Sequence, residues 1–269
     1  MKKFFARLYL LLILLLMYAP LIFIAVSSFT ESRVLGNWTG FSTKLYENLF
    51  TGNTGGSRLM GAVYNTLTIA LISSVVATVL GTLAAIGIYY THGRRRSVLM
   101  FLNNIPMVNP DVITGVSLFL LFVFLGVTQG YVSVVLAHIT FCTPYVVLNV
   151  LPKLHQMNPN IYEAALDLGA TPGQALRKVL VPQLLPGMIT GFILSFTMSL
   201  DDFAVTFFTR GTVGLETLST YIYTDARKGG LTPELRPLMT IIFVVVFVLL
   251  LAYNIRQERA AKKKASLLK

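Results

Sequence analysis

The sequence predicts an all-α integral membrane protein with six membrane-crossing helices, forming a single transmembrane domain over residues 1–269. Composition is the first observation behind this. Of 269 residues, 55% are hydrophobic and only 12% charged, a balance outside that of water-soluble globular domains. Hydropathy is the second. Apolar runs long enough to cross a hydrocarbon core recur at about Leu8–Ser28, Ala62–Tyr90, Val98–Leu125, Tyr131–Leu151, Leu184–Phe208 and Pro237–Tyr253. The third is the placement of basic residues.

Six crossings put both termini on one side, together with the loops after the second and fourth segments. That side holds Lys2, Lys3, Arg7, Arg94, Arg95, Arg96, Lys153, Arg177, Lys178, Arg256, Arg259, Lys262, Lys263, Lys264 and Lys269. The other side holds Arg33, Lys44, Arg58, Arg210, Arg227, Lys228 and Arg236. The excess predicts cytoplasmic termini. The +11 net charge then reflects topology and attraction to anionic lipid rather than nucleic-acid binding.

The first segment follows Lys2, Lys3 and Arg7, as a secretory signal would. Its apolar run is too long for that and no A-x-A cleavage site follows, so it reads as an uncleaved anchor. The outward stretch 29–61 contains the only tryptophan, Trp38, and the run Gly52-Asn53-Thr54-Gly55-Gly56. It reads equally as an interfacial aromatic with a flexible turn and as a surface that meets an external binding protein. The second outward loop, 210–236, has mixed charge and a helix start at Thr232-Pro233, and is placed to close over an outer mouth. Between the third and fourth segments, Gly126 to Gly130 reads as a tight uncharged turn.

The one cysteine, Cys142, excludes an intrachain disulfide, and with His138 it forms an i, i+4 pair. A zinc site wants about four ligands and no others accompany this pair, so it reads as packed core. No GxxxxGK[ST], GxSxG or HExxH occurs, and no catalytic or metal site is expected in this chain.

Three carboxylates fall inside predicted spans: Asp111, Asp201 and Asp202. Each costs a few kcal/mol at a bilayer centre on insertion scales, so such groups face a bundle interior or a wet cavity. Asp111 follows Pro106 and Pro110 midway along the third segment, where two missing N–H donors kink or break the helix. Two readings stand. In one, the acids pair with Asn103, Asn104, Asn109 or Thr206 and hold the bundle together. In the other, they line a passage for a cation, with Phe203 and Phe207 adding cation–π contacts.

The one long polar interruption between the two strongly apolar halves is EAALDLGATPGQALRKVLVP, Glu163 to Pro182, in a loop spanning about 158–182. Asn158-Pro159 suits a helix start. Ile161, Ala164, Ala165 and Leu168 keep one apolar face, Gly169 terminates, and Thr171-Pro172 starts a second helix. Charge places this loop in the cytoplasm.

The spacing of Glu163, Ala164, Ala165, Gly169, Val179, Val181 and Pro182 resembles the EAA loop of ABC-importer permeases. Val179 and Val181 stand where that family usually has Ile and Leu. The resemblance implies a type I importer permease whose cytoplasmic coupling helix docks on a separate ATPase. With HITFCTPYVV (138–147), MVNPDVI (107–113) and LSFTMSLDDFAVT (194–206) added, the chain is similar to the spermidine/putrescine permease family. That implies a complex of this chain with a homologous second permease, an ATPase homodimer holding ATP and magnesium, and an extracytoplasmic polyamine-binding protein. The chain itself would carry no cofactor. Asp111, Asp201, Asp202 and Phe203 would line the substrate pathway, and Glu163, Ala164, Ala165, Gly169 and Pro182 would couple to the ATPase. An importer permease for another small solute and a non-transporting assembly subunit remain alternatives; a membrane enzyme is the weakest.

Overall fold

A computed structural model describes residues 2–34, 36–52, 55–212, 214–248, 251 and 255. Asn53 and Thr54, and the basic residues from Arg256 to Lys269 used for the orientation, lie outside the described residues.

The chain separates into two compact units, one formed by 1–60 with 224–269 and the other by 61–223. In the first, α1 (Lys2–Ser27) is apolar along nearly its whole surface. A short helix, α2 (Lys44–Thr51), interrupts the stretch 29–61 that the sequence reads as loop. Leu45 and Leu49, four apart, bury one side of it. Arg236 is buried and donates to the carbonyls of Ser32 and Arg33 at 2.8 and 3.0 Å, tying the start of the last apolar helix to the segment that follows α1. Trp38 is half exposed and joins Phe29 and Phe41 around an apolar hollow.

The second unit holds most of α3 (Gly56–Tyr90), then α4 (Gly93–Val108), α5 (Asp111–Phe124) and α6 (Tyr131–Gln156). The loop helices α7 (Ile161–Asp167) and α8 (Pro172–Ala175) follow, then a π-helical turn over Leu176–Leu180 and α9 (Val181–Asp201). The chain continues through α10 (Ala204–Thr209) and α11 (Leu218–Arg227). The last apolar helix is α12, Leu235–Val248.

Helix α6 is the axis of the core, with Val134, Ala137, His138, Cys142, Val146, Val147, Val150 and Leu154 all buried. In a membrane there is little hydrophobic drive between helices, so close packing through small residues takes over. Gly187, Gly191, Ser195 and Ser199 recur every four residues on α9, and all are buried. A Cβ on Gly187 would stand 2.9 Å from the Asn149 carbonyl oxygen, and one on Gly191 would stand 3.2 Å from Val146 Cγ1. Gly81 of α3 meets the other side of Val146, where an added Cβ would lie 2.6 Å from Val146 Cβ.

Among the described residues, four helices are long and apolar enough to cross a membrane. They are Arg7–Ser27, Gly56–Tyr90, Tyr131–Gln156 and Pro172–Asp201. A fifth span results if α4 and α5, bent by 109°, are taken as one. The expected sixth, Pro237–Tyr253, is observed only as the shorter α12 and then runs outside the described residues.

The third segment breaks where Pro106 and Pro110 predict: Pro110 caps α5 in extended conformation (ψ 140°), so Asp111 opens a second helix rather than lying midway along one. Other expectations need correction. Helix five does not run to Phe208, because it ends at Asp201 and restarts at Ala204. Its start lies earlier than expected, since α8, the π turn and α9 form one continuous helix from Pro172. At 1.5 Å per residue those 30 residues span roughly 45 Å.

Candidate functional site

The two broken spans pack against each other through Gly115, one turn after Asp111. A Cβ there would be 3.1 Å from both the Ala204 carbonyl oxygen and Val205 Cα. This close backbone approach gathers four sequence-predicted residues. Asp111, Asp201, Asp202 and Phe203 line one cavity of about 360 Å³, with Phe141 and Met198 among its walls. Among the described residues, no lysine or arginine lines it.

The acids do not share one environment. Asp111 and Asp201 are exposed to the cavity. The Asp202 side chain is only 6% exposed. Its carboxylate accepts from the amides of Val205 and Thr206 at 3.1 and 2.8 Å and from the Thr206 hydroxyl at 2.8 Å. Asp202 therefore caps the restarted helix. A short acceptor side chain that offers the backbone this alternative competes with helix continuation. The bundle-holding reading thus describes Asp202, with Thr206 as partner. Among the described residues no hydrogen bond joins these asparagines to the acids; Asn103 donates to Asn104 at 3.3 Å.

Behind Asp202 lies His138, buried on α6. Its Nε2 is 2.9 Å from Thr206 Oγ1 and 3.4 Å from Asp202 Oδ2, and its Nδ1 is 2.6 Å from Ser199 Oγ. Sequence reasoning reads His138 and Cys142 as core filler. Both are buried, but His138 is also a polar tie, and the i+4 spacing to Cys142 carries no sign of that. Beside the break, Phe203, Phe207 and Tyr223 form an aromatic cluster with ring centroids 4.8–5.6 Å apart. Tyr223 of α11 also escapes the sequence reading.

The loop 158–182 folds as the short helix α7 and, beyond Gly169, the first turns of the long helix that starts at Pro172, where the sequence predicts two short helices. Helix α7 begins at Ile161 and not at Asn158-Pro159. Asn158 instead makes a turn, its Oδ1 accepting from the amide of Asn160 at 3.0 Å. Gly169 sits at φ +85°, where a side chain is strained. Thr171 and Gln174 form a reciprocal capping box, the Thr171 amide donating to Gln174 Oε1 at 3.1 Å. Glu163, Ala164, Gly169 and Pro182 are exposed, Ala165 is half-buried, and Leu168 is 90% exposed. Tyr162 turns the other way, its ring 5.7 Å from that of Tyr90 at the end of α3.

Residues 77–265 match the family model described as the binding-protein-dependent transport system inner membrane component. The spermidine/putrescine transport system permease protein PotC of Haemophilus influenzae is 37% identical over 250 residues, covering 93% of this chain and 95% of the relative. The putrescine transport system permease protein PotI of Escherichia coli K12 is 37% identical over 238 residues, covering 86% of this chain and 82% of the relative. In fold, the chain is similar to a bacterial ABC transporter that imports the acidic polysaccharide alginate, with a TM-score of 0.70 at 16% identity over 96% of this chain and 95% of the other. It is also similar to the MetNI methionine ABC transporter in an inward-facing conformation, with a TM-score of 0.57 at 22% identity over 75% of this chain and 95% of the other. A membrane bundle with two broken helices, an EAA loop and these relatives agree, and the chain belongs to the inner-membrane permease family of binding-protein-dependent ABC importers.

Proposed function

We propose that this chain is a permease subunit that carries spermidine and putrescine into the cytoplasm. A cavity at two helix breaks whose charged lining, among the described residues, is carboxylate alone carries the reading. A polyamine is a flexible polycation, and carboxylates in a low-dielectric passage favour it over an anion, which would meet repulsion. The names of the relatives support the same cargo. The acidic alginate of the structural neighbour is a different cargo on a similar fold, and its 16% identity extends no further than the fold.

In this reading the chain hydrolyses nothing. A separate ATPase homodimer binds ATP and magnesium, a homologous permease completes the membrane pathway, and an extracytoplasmic binding protein delivers the cargo. The whole chain acts as one permease domain with both termini in the cytoplasm, as the distribution of basic residues indicates. The exposed ridge of Glu163, Ala164, Gly169 and Leu168 meets the ATPase, with Ala165 and Pro182 setting its base. Because Pro172–Asp201 is a single helix, motion at the loop reaches the acid cavity through a continuous rod. Alternating access follows: ATPase closure opens the bundle outward, and hydrolysis returns it with the cargo released inward.

The test is uptake of labelled putrescine and spermidine into cells lacking their own polyamine import, supplied with this chain and its partner subunits. Uptake that needs this chain and is not competed by anions is expected. An assembled, ATP-hydrolysing complex that takes up neither amine would retain the permease and discard the cargo.

A further inference from the structure

Resting on the cargo reading above, we propose that His138 is a positioning residue that locks Asp202 into the break of helix five, so that Asp201 is the carboxylate this break presents to cationic cargo. Two neighbouring aspartates on paper are equivalent. In the fold they are not.

Asp202 has little acceptor capacity to spare. Its Oδ2 takes the Thr206 amide and hydroxyl, its Oδ1 takes the Val205 amide, and its own carbonyl accepts from Ser219 Oγ at 2.7 Å. Drawing it toward a cargo amine would uncap α10. Asp201, one residue earlier, ends α9, is exposed to the cavity, and forms no hydrogen bond or ion pair among the described residues.

His138 spans the break itself. Ser199 belongs to the last turn of α9 and Thr206 to α10, and the ring reaches both. Proton counting fixes the roles. The single Thr206 hydroxyl hydrogen goes to Asp202, so the Thr206 oxygen accepts from Nε2–H, while Nδ1 shares a hydrogen bond with the Ser199 hydroxyl. The result is a connected hydrogen-bond chain from Ser199 through His138 and Thr206 to Asp202. It joins both sides of the break to α6 and leaves none of these side chains unsatisfied. A ring in this position orients the carboxylate without meeting the cavity, since His138 is 1% exposed.

Kinetics of labelled spermidine uptake by the assembled transporter separate the roles. Asp201→Asn is expected to raise KM by about tenfold, the loss of one charge-assisted contact, with Vmax largely kept. Asp202→Asn and His138→Gln are expected to lower Vmax with little change in KM, and the double variant to lose no more than Asp202→Asn alone. A KM increase in Asp202→Asn matching that of Asp201→Asn, or additive losses in the double variant, would overturn the assignment. A second measurement needs no cargo. In a Cys142→Ala background, single cysteines at 201 and 202 are treated with a membrane-impermeant maleimide in the intact complex. Asp201→Cys should be labelled, and Asp202→Cys only when His138→Gln is added. Labelling of Asp202→Cys with His138 in place, or none at Asp201→Cys, would overturn the proposal whatever the cargo is. Absent amine uptake by the unsubstituted complex would instead count against the cargo.

Discussion

Gly115 of α5 lies against Val205 of α10 so closely that a Cβ at position 115 would stand 3.1 Å from Val205 Cα. The neighbour is main chain and cannot swing aside. A side chain here must push the two broken spans apart, and with them Asp111 from Asp201 and Asp202. Gly115→Val should therefore lower uptake sharply and cost about 1–3 kcal/mol of stability, as overpacking does. Gly87→Ala is the control, because nothing lies within 4 Å of a Cβ there. Thermal melting of the purified complex and uptake are the readouts. Equal behaviour of the two variants would show that the close approach is unimportant.

The clasp around Val146 makes a second prediction. Gly81→Ala places a Cβ 2.6 Å from Val146 Cβ and 3.0 Å from the Thr143 carbonyl oxygen. Alanine is ordinarily the better helix former by about 1 kcal/mol, yet here it should destabilise. Val146→Ala in the same chain should restore part of the melting temperature by making room. Failure of that rescue would place the strain elsewhere.

Gly169 tests the loop. At φ +85° an L-residue is disfavoured by roughly 1–2 kcal/mol, and proline cannot adopt that angle at all. Gly169→Ala should weaken coupling between ATP hydrolysis and uptake, and Gly169→Pro should abolish it. Normal uptake by Gly169→Pro would remove the hinge from the coupling account.

Leu168 offers the complementary case, a large apolar side chain 90% exposed at the tip of the loop. Burial of such a side chain against a partner is worth about 1.5–3 kcal/mol. Leu168→Ser should leave the melting temperature of the isolated permease unchanged while reducing ATPase retained on co-purification. Thr171→Ala, which removes half of the capping box, should instead cost about 1 kcal/mol locally.

These residues also show how much was legible in the sequence. The loop caps were readable because Thr171-Pro172 and Gly169 act through local chemistry that neighbouring residues alone determine. The apolar spans were readable for the same reason, with ends shifted by several residues. The break in helix five was not. Hydropathy runs unbroken through Phe203 to Phe208, and the signal that stops the helix is a carboxylate held by Thr206 and by His138 from another helix. Pro106 and Pro110 announced a break in the third segment but not its 109° angle, and the close approach of Gly115 to α10 carries no local sequence signal. The four-residue spacing of Gly187, Gly191, Ser195 and Ser199 was present in the sequence as a packing stripe, yet only the structure shows that α6 fills it.

The most direct measurement is ATP-driven accumulation in proteoliposomes. They would contain this chain with its partner permease, ATPase and binding protein, and be offered labelled spermidine beside labelled glutamate. The account predicts spermidine accumulation that requires ATP and is lost when Asp201→Asn and Asp111→Asn are combined, with glutamate excluded throughout. Glutamate accumulation, or spermidine accumulation unaffected by removing both carboxylates, would contradict the claim that the acid-lined cavity carries a cation.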